Sequence, residues 1–232
     1  MKRFWKEAAP KEEQGGWAIA LDGKPLRTPA REPFIVPTAK LAQAIADEWN
    51  SAGETFDPRA MPLTGIANAA IDRVAPDTEA FAASLASYGE SDLACYRVEE
   101  PKELVERQQR SWDSLLDWAR RRFDVGFETT CAIIHVAQPE PTVRRLEHAV
   151  ASLDPFRLAG LSPLVTIGGS LIAALAVLEG ALTAEEAWEA VTIDEQWQAE
   201  QWGVDSEAEA VLDKRRRDFL AAARFLQLLD DQ

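Results

Sequence analysis

The chain has 232 residues, enough for one domain or two modest ones, and its 47% apolar and 28% charged residues can bury a core without disulfides or metals. Its 39 Asp and Glu against 25 Lys and Arg leave a net charge of −14, a field that repels phosphate backbones and anionic lipid surfaces, so nucleic acid is not expected as a partner. Two cysteines, Cys95 and Cys131, make no disulfide framework, and a start without an apolar signal core or Arg/Ser-rich leader leads us to expect a cytoplasmic protein or an already trimmed organellar one.

The N-terminal part reads as β-rich. Trp17–Leu21 partly alternates and runs into Asp22-Gly23, a strong hairpin signal because both turn positions favour positive φ. Pro25 and Pro29 confine the following strand to an edge. Phe34–Val36 is a further short strand, after which Thr38 caps a helix carrying Leu41, Ile45 and Trp49.

Beyond Pro62 the chain reads as mainly helical. One apolar stripe runs from Leu63 to Val74, a second helix opens at Pro76-Asp77, and a long one runs from Pro101 to Trp118. Residues 126–139 favour strand or irregular structure, and Pro141 starts the next helix. From Leu158 to Leu178 there is no charge, but Gly168, Gly169 and Ser170 divide the run, which predicts two short buried helices rather than a membrane span, with Ser170 as a helix cap. Thr183-Ala-Glu-Glu186 and Ser206-Glu-Ala-Glu209 are capping boxes for the last two helices, which Gly203 separates. The expected fold class is α+β, with an N-terminal α/β unit over residues 1–58 and a helical bundle domain over 59–232.

Catalytic patterns are absent or weak. There is no glycine-rich dinucleotide fingerprint and no phosphate-binding loop, so no cofactor is expected. Ser170 lacks a nucleophile elbow, and a small serine hydrolase would need His148 or His135 as its base. Cys131 and His135 find no second ligand pair, so no metal is expected either.

The segment from Thr183 to Glu209 is unusual, because it holds Trp188, Trp197 and Trp202 among many acids. On one continuous helix Trp188, Val191, Glu195, Gln198 and Trp202 share a stripe. Such a stripe is either a core helix with a solvated acidic edge or a partner surface with tryptophan anchors, as in an acidic protein-interaction adaptor. The basic run Lys214–Arg217 reads as the outer face of the last helix.

Several segments, in order along nearly the whole chain, resemble a family of assembly chaperones for the alpha subunit of the F-type ATP synthase head. They include Arg3-Phe-Trp-Lys-Glu-Ala8, Leu21-Asp-Gly-Lys-Pro-Leu-Arg-Thr-Pro29, Ile45-Ala-Asp-Glu-Trp49, Met61-Pro-Leu-Thr64, Ser91-Asp-Leu-Ala-Cys-Tyr-Arg97, Leu153-Asp-Pro-Phe156 and Glu200-Gln-Trp-Gly203. The resemblance implies a small N-terminal α/β unit before a larger helical domain. It also implies a protein without enzymatic activity that binds the unassembled alpha subunit and shields its subunit interface, in the cytoplasm of bacteria or the mitochondrial matrix. Neither nucleic acid nor stable membrane insertion has a part in that role. It points to client contacts at Glu200, Asp205 and Glu207, to which the helical stripe adds Glu195 and Trp202. Gln201 departs from the family pattern, which often has a basic residue before the Trp-Gly pair.

Overall fold

The sheet is built around one hairpin. In the computed structural model, which describes residues 2–132, 134–203 and 206–230, β1 (Ala8–Glu13) pairs antiparallel with β2 (Gly16–Leu21), Ala8 opposite Leu21 and Glu13 opposite Gly16. On its other side β2 pairs first with β3 (Lys24–Pro25) and then with β4 (Ile35–Val36), all antiparallel. Asp22 and Gly23 take φ values of 48° and 79°, the left-handed pair that a tight hairpin requires. Pro25 sits in a strand bonded only to β2, as its lack of an N–H demands. β1 was not expected. Its Ala-Ala-Pro-Lys-Glu-Glu sequence has no strand-like alternation, yet Pro10 is tolerated there because β1 is an outer strand. The Asp22 carboxylate accepts the N–H groups of Lys6 and Glu7 at 3.0 Å, which draws the chain before β1 onto the hairpin.

The chain divides into two compact units: residues up to Thr78 with Asp154–Gly160 and the chain from Arg224 onward, and Glu79–Leu153 with Leu161–Ala223. In the first, α1 (Ala39–Asn50) starts at Thr38, whose Oγ1 accepts the Leu41 N–H and donates to the Leu228 carbonyl. α1 then caps α2 (Pro62–Ala69) from outside. The Glu48 carboxylate accepts the Leu63 and Thr64 N–H groups at 2.9 Å, and the Trp49 indole donates to the Thr64 hydroxyl. Trp5 packs edge-on against Trp49 and Phe56, with centroids 4.8 and 4.9 Å away.

The second unit is helical. It takes in most of α3 (Thr78–Ala86) and the run that starts after Pro101, which is α4 (Lys102–Gln108), a π-helical turn over Gln109–Asp113 and α5 (Ser114–Phe123). Among the described residues, 126–139 is irregular apart from an isolated bridge of Thr130 to Tyr96. α6 (Glu140–Ala151) follows. α7 (Pro155–Gly168) and α8 (Leu171–Leu178) are the two helices expected in the uncharged run, parted by Gly169 at φ 68°. No described helix is long and apolar enough to cross a membrane.

The Thr183 capping box forms and opens α9 (Ala184–Val191). The single helix expected from there to Gly203 is broken, however. Thr192 has φ −114° and ψ 16°, and α10 (Ile193–Trp202) begins after it. The Trp112 indole donates to the Ala190 carbonyl at 2.7 Å, and the Thr192 hydroxyl donates to the Trp188 carbonyl, so side chains occupy the acceptors around the break. α11 (Ser206–Leu229) completes the chain.

One buried carboxylate organises the approach to α8. Asp92 has no exposed surface. Its Oδ1 accepts the Ala94 N–H at 3.0 Å and the Ser170 hydroxyl at 2.8 Å, and its Oδ2 accepts the Ile172 N–H at 3.0 Å. Ser170 in turn caps α8 through the Ala173 N–H. Burial pushes the Asp92 pKa up, against the pull of those donors. Asp92→Ala should lower the urea-unfolding free energy by about 3–5 kcal/mol, because it leaves buried donors unpaired, whereas Ser170→Ala should lose about 1 kcal/mol, as for an ordinary cap. The folded state holds the Asp92 proton more tightly than the unfolded one. Its contribution to stability is therefore greatest below the ordinary carboxylate pKa of 3.8 and declines as pH rises through the raised folded value. Unfolding free energies measured against pH should show that decline in the wild type relative to Asp92→Asn.

Candidate functional site

Trp197 and Trp202 lie five residues apart on α10, which places them about 140° apart around the helix. Trp197 is buried, and Trp202 is 77% exposed. Beside Trp202 a groove of about 610 Å³ runs between α10 and the first part of α11. Glu195, Gln198, Ala199 and Trp202 line it from α10, and Glu207, Ala208, Val211, Leu212 and Arg215 line it from α11. The large apolar side chains exposed among the described residues are Phe4, Ile134, Trp202 and Val211, and two of these four meet in this groove. The chain that forms it is mainly acidic: between Arg157 and Lys214 the sequence has no Lys, Arg or His but eleven Asp and Glu, and among the described residues the one cation that lines the groove is Arg215.

The expected contact residues separate into different environments. Trp202 and Glu207 line the groove on opposite walls. Glu195 also lines it, but its carboxylate accepts from Arg215 at 2.5 Å. Glu200 lies on another face of α10. It accepts both arms of the Arg107 guanidinium at 2.8 and 2.7 Å, and that hydrogen bonding holds its carboxyl below the usual carboxylate range while raising the Arg107 pKa. Asp205 lies outside the described residues. The stripe joining Trp188 to Trp202 does not exist as such, because the helix breaks at Thr192.

Sequence reasoning missed the arginines. Arg107 lies over the Trp197 ring at 5.1 Å, and Arg215 lies over the Trp188 ring at 5.9 Å while also donating to the Ile167 carbonyl. Arg215 was expected on the outer face of α11. Its spacing could have revealed the inward turn, because it falls four residues after Val211 and four before the fully buried Phe219. Lys214 remains outside and pairs with Asp218.

The hydrolase alternative fails on geometry. Ser170 is 1% exposed and donates to Asp92, while His148 is exposed on α6 and is not among its partners. His135 meets the Tyr96 hydroxyl instead. Among the described residues no group of three or more His, Cys, Asp or Glu could hold a metal ion.

Residues 2–120 match the family model described as ATP12 chaperone protein. The chain is 45% identical to Atp12 of Paracoccus denitrificans, over 99% of this chain and 98% of that one, with a TM-score of 0.93, and it matches an aspartate-to-lysine mutant of that protein equally well. Atu1473 of Agrobacterium tumefaciens is 40% identical, with 99% of this chain and 86% of that one covered and a TM-score of 0.93. The mitochondrial protein atp12 of Schizosaccharomyces pombe is 27% identical, over 97% of this chain and 81% of the yeast protein.

Trp202 should be the tryptophan most open to collisional quenchers. Caesium, drawn in by the acidic surroundings, should quench more than iodide, which they repel. Trp202→Phe should remove most of the caesium-quenchable emission and leave the circular dichroism spectrum unchanged. Equal quenching before and after the substitution would show that Trp202 is covered.

Proposed function

We propose that this chain, which belongs to the ATP12 chaperone family, binds the unassembled alpha subunit of the F-type ATP synthase and shields its subunit interface until the catalytic head assembles. Subunits of an alternating ring expose large apolar interfaces before assembly, and such surfaces aggregate. A protein that covers one needs complementary shape and charge rather than catalysis or a cofactor. The family resemblance supplies the client. The observation that supports the location is the groove between α10 and α11, in which solvent-exposed Trp202 and Val211 lie beside Glu195 and Glu207, in a mainly acidic stretch of chain. Tryptophan is a preferred anchor of binding hot spots. Acidic surroundings favour approach by a client segment that carries Lys or Arg beside an apolar side chain, and they fix its register. The working compartment in this reading is the cytoplasm of a bacterium or the mitochondrial matrix, the latter in keeping with the fission yeast relative.

The test uses purified full-length chain and alpha subunit. Trp202→Ala should raise the dissociation constant by about thirtyfold or more, the effect of a hot-spot residue, with thermal unfolding unchanged. Higher salt should slow association more than it speeds dissociation. Unaltered affinity in a folded Trp202→Ala, Val211→Ser double variant would place the client elsewhere.

A further inference from the structure

We propose that Glu195 and Glu200 are positioning residues: each holds an arginine against a tryptophan face, and the two clamps set the position of α10 that presents Trp202 to the groove. The inference rests on the functional reading above only for the benefit that this position brings.

α10 needs external positioning. It has ten residues between the non-helical Thr192 and Gly203, which takes φ 77°. Isolated helices of that length are marginal in water, and the break at Thr192 removes the rigidity that α9 would otherwise transmit. Only Ile193 and Trp197 of α10 are buried. Its placement therefore depends on polar ties as well as packing.

The ties have a repeated construction. At one end Arg107 of α4 lays its guanidinium over Trp197 and directs both arms to the two oxygens of Glu200, a planar fork matched to a carboxylate. At the other, Arg215 of α11 lies over Trp188 of α9, donates to the Ile167 carbonyl of α7 and bonds Glu195. This second clamp spans the Thr192 break, with its tryptophan before the break and its carboxylate after it. A further tie, from the Gln108 amide to the Asp194 carboxylate, holds the first turn of α10 to α4. The carboxylates are occupied within the protein. Replacing Glu200 removes the fork, and replacing Glu195 the single ion pair, that helps keep its arginine stacked on a tryptophan.

Charge exchange distinguishes positioning from direct client contact. Glu200→Arg and Arg107→Glu should each weaken alpha-subunit binding by about tenfold or more, whereas the Arg107→Glu, Glu200→Arg double variant should recover to within about threefold of wild type, because the pair is rebuilt with its ends reversed. The Glu195→Arg, Arg215→Glu exchange should not recover, because a carboxylate at position 215 cannot donate to the Ile167 carbonyl. If the exchanged pair binds as poorly as Glu200→Arg alone, Glu200 meets the client directly and the inference falls. A second readout needs no client. Acrylamide quenching of tryptophan emission in a Trp202→Phe background should rise in each single variant, as Trp197 or Trp188 loses its cover. Unchanged quenching in the single variants overturns the clamps whatever the client does. Absence of any alpha-subunit binding by wild type would sink the functional reading and leave the clamps to this second readout.

Discussion

The Ala190 carbonyl lies just ahead of the helix break, and it accepts the Trp112 indole. The arrangement of the candidate site follows from that break. In an unbroken helix Trp188 and Trp197 would lie nine residues apart on opposite faces, so one of them would face water, while Trp202 would return almost to the face of Trp188. Instead Trp188 and Trp197 are both buried, at 5% and 7% exposure, and Trp202 is open at 77%. The discontinuity at Thr192 rotates the chain so that two tryptophans enter the core and the third leaves it. The same discontinuity weakens the backbone connection between α9 and α10, which gives the arginine clamps their physical purpose.

The acids that dominate the composition have several separate tasks. In the first unit Asp22 gathers the N–H groups of Lys6 and Glu7, Glu48 caps α2, and Asp154 accepts the Phe156 and Arg157 N–H groups at the start of α7. In the second, Asp92 joins a short turn to α8, and Glu186 completes the capping box of α9. All of these place a carboxylate on backbone donors that a helix start or turn leaves unpaired. Most segments that identify the family contain one of these residues or a buried aromatic. They identify the fold well for that reason, and for the same reason they say little about where a partner binds.

What could be read along the chain was local chemistry. Asp22-Gly23, Thr38, Ser170 and Thr183 each act on backbone groups within a few residues, and each does in the structure what its type and position predict. β1 escaped because an edge strand held through backbone pairing needs no apolar alternation. The break at Thr192 escaped because the Trp112 indole that occupies the Ala190 carbonyl beside it is 78 positions away. Arg215 escaped for a similar reason: helical spacing marks its face as inward, but nothing nearby reveals that Trp188 and Glu195 are there to receive a charge. Trp202 is exposed, as a partner contact must be, but the stripe on which it was read does not form. The return of Asp154–Gly160 and the chain from Arg224 to the first unit is likewise long-range, and no boundary drawn along the sequence can express it.

Under the proposed function, the modest size of the groove is informative in itself. Burial of one tryptophan removes on the order of 200 Å² from water, roughly 5 kcal/mol at 25 cal/mol per Å², which is comparable with the lower range of the loss in translational and rotational freedom on association. Trp202 alone therefore fixes register but does not hold a subunit. Val211 and Leu212 on the opposite wall and the mainly acidic chain around it supply the remainder. A binder built this way gains much of its effect from rapid, charge-guided encounter, and its small apolar contact limits how tightly it holds. That balance suits a protein whose client must leave. Under that reading, a neighbouring subunit that offers a larger, better-packed interface would displace it by affinity.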